Sequence, residues 1–206
     1  RLEWKRPGQS QFVVIPQTQL TPTAGGPILF TDSFDAGLGN WGPSSGTWGM
    51  VASYAGRSKV SNTTSSTESL SIAATVSWSN YSTSMWVNLV NMNGGVGILG
   101  RVTDKTHYYQ LEIKKNTAGQ TSWFLNARDG ATWSQLASGP MTYTAGTWVK
   151  LRLTMVGNQL VAESSTNGNT FTQLGSATDS RYATGRIGMR AFGSAAYFDE
   201  AVVQGV

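Results

Sequence analysis

The sequence predicts an all-β protein, an antiparallel β-sandwich of the jelly-roll kind, and three observations predict it. Apolar and polar residues alternate with period two over several stretches, as they do when one strand face packs on a core. Gly-, Asn- and Asp-containing turn signals separate those stretches, and no segment sustains helical periodicity. Glycine reaches 24 of 206 residues while charged residues are only 13%, a composition suited to short strands joined by tight turns rather than to a disordered chain.

The first 27 residues differ from the rest. Arg1-Leu2-Glu3-Trp4 is followed by Phe12-Val13-Val14-Ile15-Pro16, and then by a Thr/Pro/Gly stretch, Thr21 to Pro27, whose composition marks a domain boundary. The stretch from Arg1 to Leu20, with its Leu-x-Trp strand, Ser/Pro turn and Ile-Pro-x-x-x-Leu exit, resembles the C-terminal end of a protective-antigen-type β-domain. That resemblance implies a sugar-associated β-domain upstream. An N-terminal arm packed on the main domain as an extra strand is the alternative. The expected organisation is a tail and linker over 1–27, followed by one jelly-roll module over 28–206. A start at Arg1 without Met fits a fragment of a larger polypeptide.

From Ile28 onward the chain reads as successive strands. Leu70, Ile72, Ala74, Val76 and Trp78 alternate with small residues; Met85, Val87 and Leu89 with Trp86, Asn88 and Val90. Tyr109, Leu111 and Ile113 alternate with Tyr108, Gln110, Glu112 and Lys114, and Val149, Leu151, Leu153 and Met155 with Trp148, Lys150, Arg152 and Thr154. Turns are expected at Asn93-Gly94-Gly95, Thr117-Ala118-Gly119, Asp129-Gly130, Gly157-Asn158 and Asn167-Gly168-Asn169. The closing Phe198-Asp199-Glu200-Ala201-Val202-Val203 is placed to pair beside the opening strand.

The order of motifs is itself informative. Asp32-Ser33-Phe34-Asp35, Gly39-Asn40-Trp41 and Gly46-Thr47-Trp48 stand near the start, and Gly97 to Asp104 and His107 to Leu111 in the middle. Gly146-Thr147-Trp148, Gly185 to Met189 and Tyr197 to Val203 follow. Over residues 28–206 this order resembles the concanavalin A-like (laminin G-like) jelly-roll domains of bacterial polysaccharide-degrading enzymes. The resemblance implies a secreted bacterial protein and a polysaccharide or oligosaccharide partner. It also implies a structural Ca²⁺ where first and last strands meet, with Asp32, Asp35 and Asp199 as ligands. Such an ion needs six to eight oxygens, so backbone carbonyls near Gly39-Asn40 must contribute. Without a metal, Asp32 starts a turn and Asp199 bonds backbone amides.

Ligand residues come from the strand phase opposite the core. One phase presents Trp86 and Asn88, the next strand Arg101, and the following one Tyr108, Gln110, Glu112 and Lys114, with Trp123 or Phe124 adding a ring. On one shared sheet face these make a patch of rings, amides and cations. Sugars stack their C–H faces on rings and exchange paired hydrogen bonds with planar side chains. The competing assignment makes Trp86 and Tyr108 cross-strand partners worth ~0.2–1 kcal/mol each, with Arg101 pairing Glu112 or Asp104. Trp41, Trp48, Trp78, Trp133 and Trp148 read as core or edge residues.

Several function classes are disfavoured. There is no cysteine for a disulfide or thiolate metal site. No apolar run approaches the ~20 residues of a membrane-spanning helix. The net charge of +4 is dispersed, unlike the concentrated basic face of a nucleic-acid binder. The 11 acidic residues show no pattern for the carboxylate pair, about 5–5.5 Å apart, of a retaining glycosidase. The expected protein is therefore a monomeric, non-catalytic carbohydrate-binding module that contacts neighbouring domains of its own chain. A structural or adhesive spacer without sugar affinity is one alternative. A small polysaccharide lyase using His107, Tyr108 and Arg101 is another.

Overall fold

A computed structural model of the chain describes residues 25–62 (backbone alone for 58–62), 67–73 and 76–206, and the backbone of residues 3–4 and 13–14. In chain order the strands are β1 (Glu3–Trp4), β2 (Val13–Val14), β3 (Ile28–Asp32), β4 (Trp41–Ser45), β5 (Trp48–Tyr54) and β6 (Arg57–Asn62). Then come β7 (Glu68–Ala73), β8 (Tyr81–Leu89), β9 (Gly95–Asp104), β10 (His107–Lys115), β11 (Thr121–Asp129) and β12 (Thr132–Pro140). The last are β13 (Val149–Val156), β14 (Gln159–Ser165), β15 (Thr172–Thr178), β16 (Arg186–Phe192) and β17 (Ala196–Gly205). No helix occurs among the described residues, and so none long and apolar enough to cross a membrane.

Two antiparallel sheets form the sandwich. One runs β12-β11-β10-β9-β16-β7-β4; the other runs β15-β14-β13-β8-β17-β6-β5, with β3 also paired to β17. The chain is all-β, as its alternation predicts. The hairpins fall where the turn signals stand: β9 begins at Gly95, and β10–β11, β11–β12, β13–β14 and β14–β15 are joined through the four other signals. Gly157 shows why such residues are needed, since its φ of 54° closes the two-residue β13–β14 turn in a region that disfavours side chains. The closing strand pairs beside the opening one, Ala201 opposite Asp32 and Val203 opposite Phe30. β1 and β2 pair antiparallel, Glu3 opposite Val14, apart from both sheets. Of the proposed tail of 1–27, residues 25–27 lie beside β17, with the Gly205 N–H donating to the Pro27 carbonyl and Gln204 Nε2 to the Gly26 carbonyl, both at 2.9 Å, and the remainder, β1 and β2 apart, lies outside the described residues.

The core lies between the sheets. Tyr81, Met85, Val87 and Leu89 of β8 and Leu151, Leu153 and Met155 of β13 belong to one buried cluster with Ile98, Tyr109, Leu111, Leu125 and Met189 of the opposite sheet. Burial of such side chains, at ~25 cal/mol per Å² of apolar area, is the main force holding the layers together.

Two local phases depart from the expected alternation. In β7 the apolar set faces away from the main core: Leu70 and Ile72 pack with Leu99, Val102 and Tyr108 in a second cluster, and Ala73 joins the main core. Ser71 pairs with the core residue Met189, and the hydroxyls of Ser69 and Ser71 are buried without a hydrogen-bond partner. In β9, Arg101 does not stand on the open face. A register shift falls there against both neighbouring strands, and Arg101 takes a φ of 47°. The bulge turns the side chain into the end of the sandwich, where it is 1% exposed. Its guanidinium donates to the carbonyls of Ser79, Gly157 and Tyr182 at 2.7–3.1 Å, and its N–H donates to the Tyr81 hydroxyl.

Candidate functional site

The outer face of the seven-stranded sheet carries a contiguous charged and aromatic network. Register builds it row by row. Tyr108, Arg128 and Trp133 stand opposite one another on β10, β11 and β12; Gln110, Asn126 and Gln135 form the next row; Glu112 and Phe124 the next. From the other side, Arg190 of β16 lies opposite Gly97, which lies opposite Glu112. A Cβ at Gly97 would stand 2.6 Å from the Leu111 carbonyl oxygen and 2.9 Å from the Glu112 Cβ. This glycine lets β9 pass beneath the two long side chains, so that Arg190 Nη1 reaches Glu112 at 3.3 Å across an intervening strand.

Two carboxylates tie the network. Glu68 accepts from Arg190 Nε and from Arg128 Nη1, the latter at 2.8 and 2.9 Å. Glu112, 2% exposed, accepts from Gln110 at 2.9 Å, Asn126 at 3.0 Å, Arg190 and Lys114. Both guanidiniums lie against one indole, Arg190 Cζ at 4.9 Å and Arg128 Cζ at 5.2 Å from the Trp133 ring centre. Tyr108 meets the same ring edge-on at 5.9 Å and accepts from Arg128 Nη1 at 3.0 Å. Trp133 is 42% exposed and Phe192 45%, whereas the charged side chains between them are largely covered.

These contacts set the protonation states. Burial pushes the Glu68 carboxyl up, but hydrogen bonds and charge from Arg190 and Arg128 outweigh it and hold its pKa below the ordinary carboxylate value. Burial pushes the Tyr108 phenol up to about 12. The face therefore presents arginines, an ionised carboxylate and a neutral phenol. It can stack a flat apolar surface and exchange paired hydrogen bonds. Glu68 is a poor general base, since an anchored carboxylate with a lowered pKa accepts a proton weakly.

The expected ligand residues do not share one surface. Tyr108, Gln110, Glu112 and Lys114 are together on this face, with Phe124 supplying the ring that Trp123 turns into the core. Trp86 and Asn88 stand on the other sheet. There Trp86 lies beneath Arg57, whose Cζ is 4.0 Å from its ring centre, and donates to Glu200 at 3.1 Å. A Cβ at Gly168 would stand 2.8 Å from that indole, so the β14–β15 turn also covers it. Asn88 is fully buried and donates to the Gly146 carbonyl at 2.8 Å. Arg101 is internal, as described. The trio His107, Tyr108 and Arg101 is thus divided: His107 meets Asp104 at 2.8 Å and Asp129 at 3.3 Å, Tyr108 faces Glu68 and Arg128, and Arg101 caps carbonyls. Glu68, Asn126, Arg128, Trp133, Arg190 and Phe192 were not foreseen as site residues. Asn126, Arg128, Arg190 and Phe192 alternate with the core residues of their own strands, but Glu68 shares the phase of Leu70 and Ile72, Trp133 reads as a core or edge residue, and pairing between β7, β16 and β9 has no local signal.

The three aspartates named for calcium also separate. Asp32 accepts from the Phe34 N–H at 2.7 Å, Trp41 Nε1 at 2.9 Å and Asn40 Nδ2 at 3.1 Å, so donors occupy both oxygens. Asp199 bonds Arg57 at 2.7 Å and the Glu200 N–H at 2.8 Å, and Asp35 is exposed. Among the described residues no group of three or more His, Cys, Asp or Glu side chains is placed to hold a metal ion. The side chains present do not fit the calcium site expected of them.

Comparison with known proteins bears on the fold. The carbohydrate-binding module CBM66 from Bacillus subtilis superposes with a TM-score of 0.67 at 15% identity, over 80% of this chain and 95% of that one. A Bacillus subtilis protein of unknown function with a galectin-like fold gives 0.64 at 9% identity, over 88% and 97%. The GH43 protein BlXynB from Bacillus licheniformis gives 0.63 at 14% identity, over 85% of this chain but 39% of its own. These likenesses show the concanavalin A-like sandwich. A search of curated protein sequences returns no significant match. The profile of the 3-keto-alpha-glucoside-1,2-lyase-like domain matches residues 30–204, nearly the whole sandwich, and the chain belongs to that family.

Proposed function

We propose that this chain is a non-catalytic carbohydrate-binding module of a secreted bacterial polysaccharide-degrading enzyme, and that it binds sugar on the outer face of the seven-stranded sheet. The observation that carries the reading is the half-exposed Trp133 ring against which both Arg128 and Arg190 lie, with Glu68 holding both guanidiniums and Glu112 also holding Arg190. An exposed indole beside planar, pre-oriented donors suits the C–H face and hydroxyls of a pyranose or furanose ring. The fold supports the reading through its likeness to a carbohydrate-binding module and to part of a GH43 protein.

The family description names a lyase, and a lyase needs a base facing its substrate. The titratable groups of this face are anchored, and His107 lies on the opposite strand phase from Tyr108. Binding without chemistry is therefore the reading favoured. A glycan array probed with the wild type and with Trp133→Ala tests it. Retention of specific glycans by the wild type, at least tenfold weaker in the variant (about 1.4 kcal/mol), is expected. Retention of no glycan by a folded wild type favours the spacer, and release of shortened or unsaturated products favours the lyase.

A further inference from the structure

A second cavity differs chemically from the charged face. It has a volume of about 330 Å³ and lies between the segment joining β12 to β13 and the strands β14 and β15. That volume falls at the lower end of small-ligand pockets, about 300–1,000 Å³. None of its lining residues carries a charge, and none belongs to the network around Trp133. Its walls are rich in hydroxyls: Thr142, Tyr143, Thr144, Thr147 and Thr166 stand around Trp148.

The loop is fixed from within. The Tyr143 hydroxyl accepts from the Leu89 N–H at 2.8 Å and donates to the Thr147 carbonyl at 2.9 Å, and Thr147 Oγ1 donates to the Thr144 carbonyl. Trp148 Nε1 donates to the Tyr54 carbonyl at 3.3 Å, so the indole is oriented and its N–H is taken. By contrast, the side-chain hydroxyls of Thr142, Thr144 and Thr166 make no hydrogen bond among the described residues.

We infer that this cavity is a second saccharide subsite, one that takes an uncharged pyranose unit of a polysaccharide. Hydroxyls both donate and accept, which matches a polyol whose own hydroxyls do the same. The nearest guanidinium, that of Arg57 with its Cζ 5.7 Å from the Trp148 ring centre, is already paired with Asp199 and Glu200, so a charged sugar would lose hydration with little compensation. The indole supplies the apolar surface on which a pyranose face rests. Two separate sites on one module let a long neutral chain engage twice, which raises retention on polysaccharide above that on a short oligomer.

The test is a nitrogen–proton NMR titration of the full chain with cellohexaose, xylohexaose and, as charged control, a galacturonate hexamer, each up to on the order of 10 mM. The expected result is a saturable shift of the Trp148 indole resonance and of amides in 142–148 and 166 with a neutral probe, and none with the charged one. Trp133→Ala leaves those shifts intact, so failure of the charged-face reading does not remove them. Trp148→Ala abolishes the amide shifts. Should that variant unfold, the paired Thr144→Val and Thr166→Val exchange carries the test, weakening binding about tenfold. The inference is overturned if neutral probes leave the Trp148 region unmoved, if the galacturonate hexamer shifts it equally, or if the folded Thr variant binds as tightly as the wild type.

Discussion

Glu68 holds both arginines that flank Trp133, and its ionisation is therefore part of the site's geometry. Its folded pKa is lowered, so its stabilising effect is present above the unfolded value near 4.3 and is lost as pH falls through the folded value. Asp104 acts in the same direction. Burial pushes it up, but hydrogen bonds from Thr106 and His107 together outweigh it and bring it down to about 2. Thermal stability is accordingly expected to drop from about pH 4 towards pH 2. In Glu68→Gln, differential scanning fluorimetry will find part of that acid limb flattened; an unchanged limb would show that the Glu68 pairs do not hold. Arg101 acts otherwise, through carbonyls at the sandwich end. Arg101→Met leaves those acceptors unpaired in a buried place and is expected to cost about 3 kcal/mol in urea denaturation, with glycan affinity of the folded fraction unchanged. An unchanged stability with lost affinity would make Arg101 a ligand residue after all. Its residue type was visible in the sequence, but its direction was set by a bulge that no local alternation announces.

At the scale of strands, the hairpins were legible because each is a local event: a period-two run, a glycine or asparagine turn, and a second run. The site was half legible for the same reason. Tyr108, Gln110, Glu112 and Lys114 share a phase along one strand and do share a face. Trp86 and Asn88 share a comparable phase, yet β8 belongs to the other sheet. Arg190 meets Glu112 because β16 inserts beside β9, a contact between residues 78 positions apart. Gly97 is the device that permits it. Gly97→Val should push the Arg190 and Glu112 side chains apart and weaken glycan binding at least tenfold (about 1.4 kcal/mol), read by isothermal titration. Binding at wild-type strength would mean that this bridge does not shape the site. β7 carries a second lesson. Its serines, not its leucine and isoleucine, turn towards the core, and Ser71→Ala should raise stability by about 1 kcal/mol by removing an unpartnered buried hydroxyl. A chemical-denaturation midpoint below that of the wild type would contradict that account.

For the molecule as a whole, the two sheets share one core and present two different outer faces. The eight-stranded sheet covers its polar cluster internally: Arg57 and Lys150 close over Trp86 and pair with Asp199 and Glu200. The seven-stranded sheet instead leaves Trp133 and Phe192 half-exposed at the margins of its charged network. The division of labour follows from which strands neighbour which, and jelly-roll topology sets that after the local elements are chosen. A structure of the chain with a bound oligosaccharide, chosen from the glycans it retains, tests this account most directly. The account predicts a sugar ring against the Trp133 indole with hydroxyls bonded to Arg128 or Arg190. A sugar seated over Trp86 on the opposite sheet, with the Trp133 face empty, would contradict it.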